Sequence, residues 1–171
     1  AELGYGDGDE ATVINSMVGG SRLLTAYFRH AFNVANASAI TGLTLQLWRD
    51  DGAIVYLNGV EVFRNNMPPG PATYSTLARA VAVDHGNTAL TAQLSAALLV
   101  SGANLIAVEV HQNNPASSDL TFDLSLAAGS PPPTNNPPVA NNQTVIVPAN
   151  TPTAITLSGS DADGDPLTFA L

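Results

Sequence analysis

Four stretches of this chain place an apolar residue at every second position, and that period fits a strand with one buried face better than any helix. Leu43, Leu45 and Leu47 alternate with Thr44, Gln46 and Trp48, and Ala26, Phe28, His30 and Phe32 alternate with Tyr27, Arg29 and Ala31. Ile106, Val108 and Val110 share one face of Asn104 to Gln112, and Leu120, Phe122, Leu124 and Leu126 form the last stretch. Ile54 to Leu57 and Val60 to Arg64 flank Asn58-Gly59. Both turn residues tolerate positive φ, so the pair predicts a type I′ hairpin. Thr88 to Val100 reads as a strand or a short helical turn. The 14 glycines and 12 prolines supply breaks between strands, while charged residues at 11% are too few for the polar faces of many amphipathic helices. The expected fold is all-β, an antiparallel β-sandwich.

The pattern stops abruptly. Residues 129–138, Gly129-Ser130-Pro131-Pro132-Pro133-Thr134-Asn135-Asn136-Pro137-Pro138, carry no side chains that can build a core. Consecutive prolines fix φ and lack amide donors, so a semi-rigid extended linker is expected there. It separates a domain at 1–128 from a second at 139–171. In the second, Gln143 to Val147 and Ala154 to Leu157 read as strands. A stretch of about 35 residues cannot close a sandwich that usually takes about 100. The second domain is therefore expected to be incomplete, or completed by another chain.

Charge narrows the partners. The net charge is -9, and all five basic residues are arginines. Without a basic stripe to neutralise phosphates, nucleic-acid binding and docking on anionic lipid are not expected. Cysteine is absent, which removes disulfides, thiolate metal sites and cysteine nucleophiles together. No apolar run approaches the roughly 20 residues that span a bilayer as a helix, so membrane insertion is not expected. Ala1-Glu2-Leu3-Gly4-Tyr5 has none of the regions of a signal peptide, so any export signal would lie upstream.

Several motifs together resemble a known module. These are Gly4-Tyr5-Gly6-Asp7-Gly8, Tyr27-Phe28-Arg29 with Phe32, and Asp50-Asp51-Gly52-Ala53-Ile54-Val55-Tyr56-Leu57-Asn58-Gly59 with Glu61. Arg64-Asn65-Asn66-Met67-Pro68, Asn104 to Gln112 and Ser117 to Leu124 extend the pattern. Residues 1–128 thus resemble the galactose-binding-like jelly-roll modules of secreted bacterial multidomain proteins. Asn136-Pro137-Pro138-Val139-Ala140 through Asp161-Ala162-Asp163-Gly164-Asp165-Pro166-Leu167 resembles the opening of a cadherin-like or immunoglobulin-like bacterial repeat. The resemblance implies a secreted or cell-surface accessory module beside phosphoesterase, glycosidase or adhesive domains. It also implies a further opening strand ahead of Gly4. Expected partners are a glycan or cell-surface polymer and neighbouring repeats, or a strand-donating subunit. The alternatives are a structural spacer in an adhesin or fibre, and a fragment of a secreted hydrolase whose active site lies elsewhere.

Candidate sites follow from chemistry. Sugar rings stack their C–H faces on aromatic planes while carboxylates and amides bond the hydroxyls. Trp48, the sole tryptophan, with Arg49, Asp50 and either Tyr56 or Asn113 is such a platform; alternatively Trp48 packs under a loop such as Asn65 to Tyr74. Asp50-Asp51-Gly52 is either a ligand set or an aspartate turn held by its own backbone. Asp161, Asp163 and Asp165 form an Asp-x-Asp-Gly-Asp turn able to offer hard oxygens to Ca²⁺, or a solvated acidic turn. Asp7, Asp9 and Glu10 form another such turn. The resemblance implies a structural calcium linking this early loop to the last strand, with Asp123 or Glu109 completing the shell. Arg29 and Glu109 are candidates for an ion pair fixing sheet register. His30, His85 and His111 show no metal-ligand spacing; His30 is expected to be structural, and Glu109 with His111 could support acid–base work. The sequence has no nucleophile elbow, phosphate-cradling glycine loop or HExxH motif, so catalysis is not expected.

Overall fold

Every alternating stretch before the linker is a strand in the computed structural model, which describes residues 1–129, 137–162, 164 and 166–169. The strands are β1 (Leu3–Tyr5), β2 (Thr12–Val13), β3 (Met17–Val18), β4 (Ser21–Arg22), β5 (Thr25–Val34), β6 (Gly42–Arg49), β7 (Gly52–Leu57), β8 (Val60–Asn65), β9 (Leu90–Leu94), β10 (Gly102–His111) and β11 (Leu120–Gly129). Thr88 to Val100 resolves into β9 followed by a 3₁₀ turn at Ala96–Leu98. The turn forms because the Ser95 side chain caps the Ala97 amide.

Two sheets face each other. One has the order β2-β1-β11-β6-β9 and the other β5-β10-β7-β8. Apart from the short parallel β1–β2 ladder, pairing within them is antiparallel. The chain is an all-β sandwich, as the period-2 pattern requires. Leu45 and Leu47 from one sheet meet Val55, Val108 and Val110 from the other. Each is buried almost completely, which stabilises by about 1.5–3 kcal/mol per side chain. Phe28 of β5 stacks on Phe122 of β11 with centroids 4.1 Å apart, joining the sheets at one side. Asn58 and Gly59 make the β7–β8 turn with φ of 51° and 83°, as type I′ geometry demands.

That side of the sandwich is only partly closed. β11 is bonded to β6 over Phe122–Gly129, but to β1 only over Leu120–Phe122. Next to Leu3, the first residue of β1, a cavity of about 510 Å³ lies between the sheets, where Phe32, Leu124 and Leu126 line it with His30. His30 occupies the inward parity of β5, as its strand position predicts, but it is exposed there.

The long connection after β8 covers the other sheet's outer surface. Met67 and Ala78 pack on Ile54, and Gly52 leaves them room, since a Cβ there would come within 2.7 Å of Met67 Sδ and 2.8 Å of Ala78 Cβ. Arg64 holds the start of the loop through the carbonyls of Pro68 and Gly70.

The first compact unit is Ala1–Ser130 and the second Pro131–Leu171. Gly129, expected in the linker, is the last residue of β11 and pairs with Gly42. Residues 130–136 of the expected linker lie outside the described residues. In the second unit β12 (Val139–Ala140) pairs antiparallel with β13 (Gly159–Ser160). The expected strands at Gln143 to Val147 and Ala154 to Leu157 do not form there. Both segments are largely exposed, and a hairpin without a third strand or a covering face is marginal in water. No helix among the described residues is long and apolar enough to cross a membrane.

Candidate functional site

The outward positions of β6 are Thr44, Gln46 and Trp48, because Leu43, Leu45 and Leu47 take the inward ones. Register then sets their neighbours. Trp48 is opposite Asp123, Gln46 is opposite Ser125 on β11 and Thr91 on β9, and Thr44 is opposite Ala127 and Gln93. The result is a flat surface of amides and hydroxyls with one half-buried indole. The polar groups bond one another: Ser125 Oγ donates to Gln46 Oε1 at 3.3 Å, and Gln93 Nε2 donates to Thr44 Oγ1 at 3.1 Å. Asp123 accepts from the Ala1 ammonium at 3.2 Å and from the Leu124 amide at 2.8 Å.

Of the five residues expected to form one platform, Trp48 alone lies on this surface. Arg49 faces the opposite way and is buried, with Nε donating to Asn65 at 2.8 Å and Nη1 paired with Asp84 at 3.1 Å. Asp50 is 3% exposed. Tyr56 belongs to the outer face of the other sheet, where its hydroxyl donates to Glu109 Oε1 at 2.6 Å. Asn113 is half-buried and gives its amide to Asp51 Oδ2 at 2.8 Å. The correction has a simple cause: adjacent positions on a strand point to opposite faces, and β6 and β7 belong to different sheets. The loop from Asn65 to Tyr74 does not cover Trp48 either, since it packs over Ile54 on the other sheet. Gln46, Thr91, Gln93 and Ser125 were not singled out from the sequence. Alternation signals Gln46, but the partners on β9 and β11 depend on a register that only the folded chain reveals.

Asp51 and Asp50 are adjacent, buried and differently treated. Asp51 accepts the amides of Ala82 and Asn113 at 2.8 Å each, so it ties the β6–β7 turn to two loops. The amides come from distant loops and not from the turn's own backbone, and Gly52, the first residue of β7, is not among the glycines at positive φ, so the expected self-capped aspartate turn is not what forms. Asp50 Oδ1 is buried with no hydrogen-bond partner among the described residues. Burial, together with the neighbouring Asp51 carboxylate, pushes Asp50 up to about 8.

The expected Arg29–Glu109 ion pair is absent among the described residues. Glu109 instead takes the Tyr56 hydroxyl and lies 3.4 Å from His111 Nε2. His111 Nδ1 is 2.7 Å from the Thr76 carbonyl, which can only accept, so that nitrogen carries a proton. His111 Nδ1 thereby ties the Thr76 loop to β10, while Nε2 is buried without a hydrogen-bond partner among the described residues. His111 is fully buried.

The acidic turns are also placed. Asp7, Asp9 and Glu10 bring ligand atoms within 4.8 Å of one another, and Asp123 and Glu109 are not among them. Asp123 stands on β11 opposite Trp48 and Glu109 on β10 in the other sheet, so neither completes that shell. Glu10 accepts the amides of Asp7 and Gly8 at 3.0 and 3.1 Å, and these bonds hold its carboxyl below the usual range. Asp7 accepts from Thr121 Oγ1 at 3.0 Å. Asp161 is half-buried, and its carbonyl accepts the Gly164 amide at 3.4 Å. Asp163 and Asp165 lie outside the described residues.

No protein-family profile matches this sequence. No curated protein matches it either. Among solved structures, the β-D-mannosidase of Dictyoglomus thermophilum aligns with 51% of this chain at 17% identity and a TM-score of 0.34. An α-L-rhamnosidase of the same organism aligns with 74% at 12% identity and a TM-score of 0.41. The α-L-rhamnosidase of Aspergillus terreus aligns with 66% at 16% identity and a TM-score of 0.41. The aligned part spans 9%, 13% and 13% of those chains respectively.

Proposed function

We propose that the first unit is a non-catalytic carbohydrate-contacting module of an extracellular protein, and that the outer face of the β11-β6-β9 sheet is its contact surface. One observation supports this reading: the sole indole of the chain is half-buried at the edge of a polar carpet of Gln46, Thr91, Gln93 and Ser125. An indole offers a sugar ring an apolar plane, and the short amides and hydroxyls beside it can exchange their mutual bonds for bonds to ring hydroxyls. Such a surface is preformed and shallow, so single-site affinity is modest and rises with repeated presentation. Calorimetric titration with soluble polysaccharides tests it. W48A is expected to weaken binding about tenfold, the loss of about 1.4 kcal/mol that one stacking contact supplies. Y56F, on the other sheet, is expected to leave binding unchanged. Binding that W48A leaves intact would sink the assignment.

A further inference from the structure

We propose that Asp50, His85 and Asp119 hold a single divalent first-row transition cation at one end of the sandwich, zinc being the ion that fits the donors. The three come from separate segments, the β6–β7 turn, the 82–87 loop and the approach to β11. Each offers one ligand atom, and these atoms lie within 4.8 Å of one another. Three such groups near a surface are common and alone mean little. What separates this cluster from the Asp7, Asp9 and Glu10 turn is Asp50. It is 3% exposed, and its Oδ1 has no partner among the described residues. The adjacent Asp51 has an amide on each oxygen, so the turn does not lack donors in general. The neighbouring Arg49 makes its hydrogen bonds elsewhere, from Nε to Asn65 and from Nη1 to Asp84. A buried carboxyl oxygen without a partner is costly, and a cation at this place satisfies Oδ1.

The surroundings hold the donors in place. The Asp50 amide bonds the Thr121 carbonyl at 3.0 Å, and the His85 amide bonds the Ala82 carbonyl at 3.0 Å. Ala82 is in turn bound by Asp51, and Asp84 by Arg49. Gly86 has φ of 73°, and a Cβ there would come within 2.6 Å of Thr121, so the His85 turn lies directly against the start of β11. Asp119 Oδ1 accepts from Ser117 and Ser118 Oγ at 3.3 Å each, and its carbonyl accepts from Gln112 at 2.6 Å.

The donor set selects the ion class. Calcium takes six to eight oxygens, whereas one imidazole and two carboxylates leaving a position for water is a zinc-type arrangement. Tetrahedral zinc holds its donors roughly 3.3 Å apart, given metal–ligand bonds of about 2 Å. The exposed His85 ring has the freedom to close that distance. The site is independent of the carbohydrate reading.

Calorimetric titration of the full chain with ZnCl₂, and with CaCl₂ as competitor, tests the proposal. One zinc per chain is expected, not displaced by calcium. H85A and D119N are each expected to weaken it at least about tenfold, and D50N to abolish it. His85 is exposed but has φ of 48°, where alanine is strained, so H85G, which keeps that backbone, is the companion variant: binding lost in H85G with thermal unfolding as in the wild type is a lost ligand and not a lost fold. With Co²⁺ as the probe, the visible d–d absorption of the wild type is expected to change in H85A. No zinc bound, preference for calcium, or zinc binding that survives H85A but fails in a D7N/D9N variant would each overturn the proposal.

Discussion

Tyr56 and Trp48 are eight positions apart with opposite fates, and a single side chain's partner decides each. The Tyr56 hydroxyl donates to a carboxylate that is itself buried, and burial followed by that hydrogen bond raises its ionisation well above the usual tyrosine range. The unfolded chain ionises this phenol near pH 10, about the ordinary value. Above that pH the folded state therefore holds more protons than the unfolded one, and stability falls as pH rises. Y56F is expected to cost about 1 kcal/mol at neutral pH, for the lost bond to Glu109. It should also flatten the decline above pH 10. Urea unfolding of both proteins on either side of that pH measures this, and equal slopes would show that Tyr56 does not carry the alkaline sensitivity. Asp50 shows what the sequence conceals at this scale. Asp50-Asp51-Gly52 reads as a turn, yet nothing in three consecutive letters says which carboxylate finds amides and which finds none. His85 and Asp119 are 35 and 69 positions from Asp50, and only the fold brings them together.

Hairpins and ladders were the legible part of the chain. Leu43 to Leu47, Ile106 to Val110 and Leu120 to Leu126 each declare their buried face through alternation, and Asn58-Gly59 declares its turn through backbone conformation. Asn58 does more than turn the chain. Its Nδ2 donates to the Leu98 carbonyl at 2.7 Å and to Asn104 Oδ1 at 2.8 Å, and its Oδ1 accepts the Leu105 amide at 2.9 Å. The hairpin tip is thereby fastened to the start of β10. N58G keeps the backbone geometry and loses the fastening, whereas N58A loses both. N58G is expected to destabilise by about 1 kcal/mol, for three side-chain bonds lost at a largely exposed position. N58A should cost more, because alanine also resists positive φ. Thermal unfolding ranks them, and an N58G melting temperature equal to the wild type's would mean the side chain contributes little. The segments Gln143 to Val147 and Ala154 to Leu157 have the composition of strands without becoming strands. Strand propensity describes fit to a half-buried pleated surface, and within this unit no third strand among the described residues provides one.

Across the molecule, protection should follow the ladders. β10 is bonded on both sides, to β5 over ten residue pairs and to β7 over six, and its inward side chains are buried. β12 and β13 share two pairs. Opening free energies in one protein span from near zero to the global value. Amides of β10 are therefore expected to exchange slowest with deuterium, and those of residues 139–160 within the earliest time points. Slow exchange in 139–160 would show a stabler second unit than two pairs suggest. The division at the proline run was legible because prolines and asparagines cannot build a core. The position of Trp48 also has an optical consequence. As the only indole in the chain, at the outer face of the first unit, it makes intrinsic fluorescence a private signal of that unit. An emission melt will track the sandwich and be silent about residues beyond the prolines, and any ring that settles on the β6 face will announce itself in the colour of one residue.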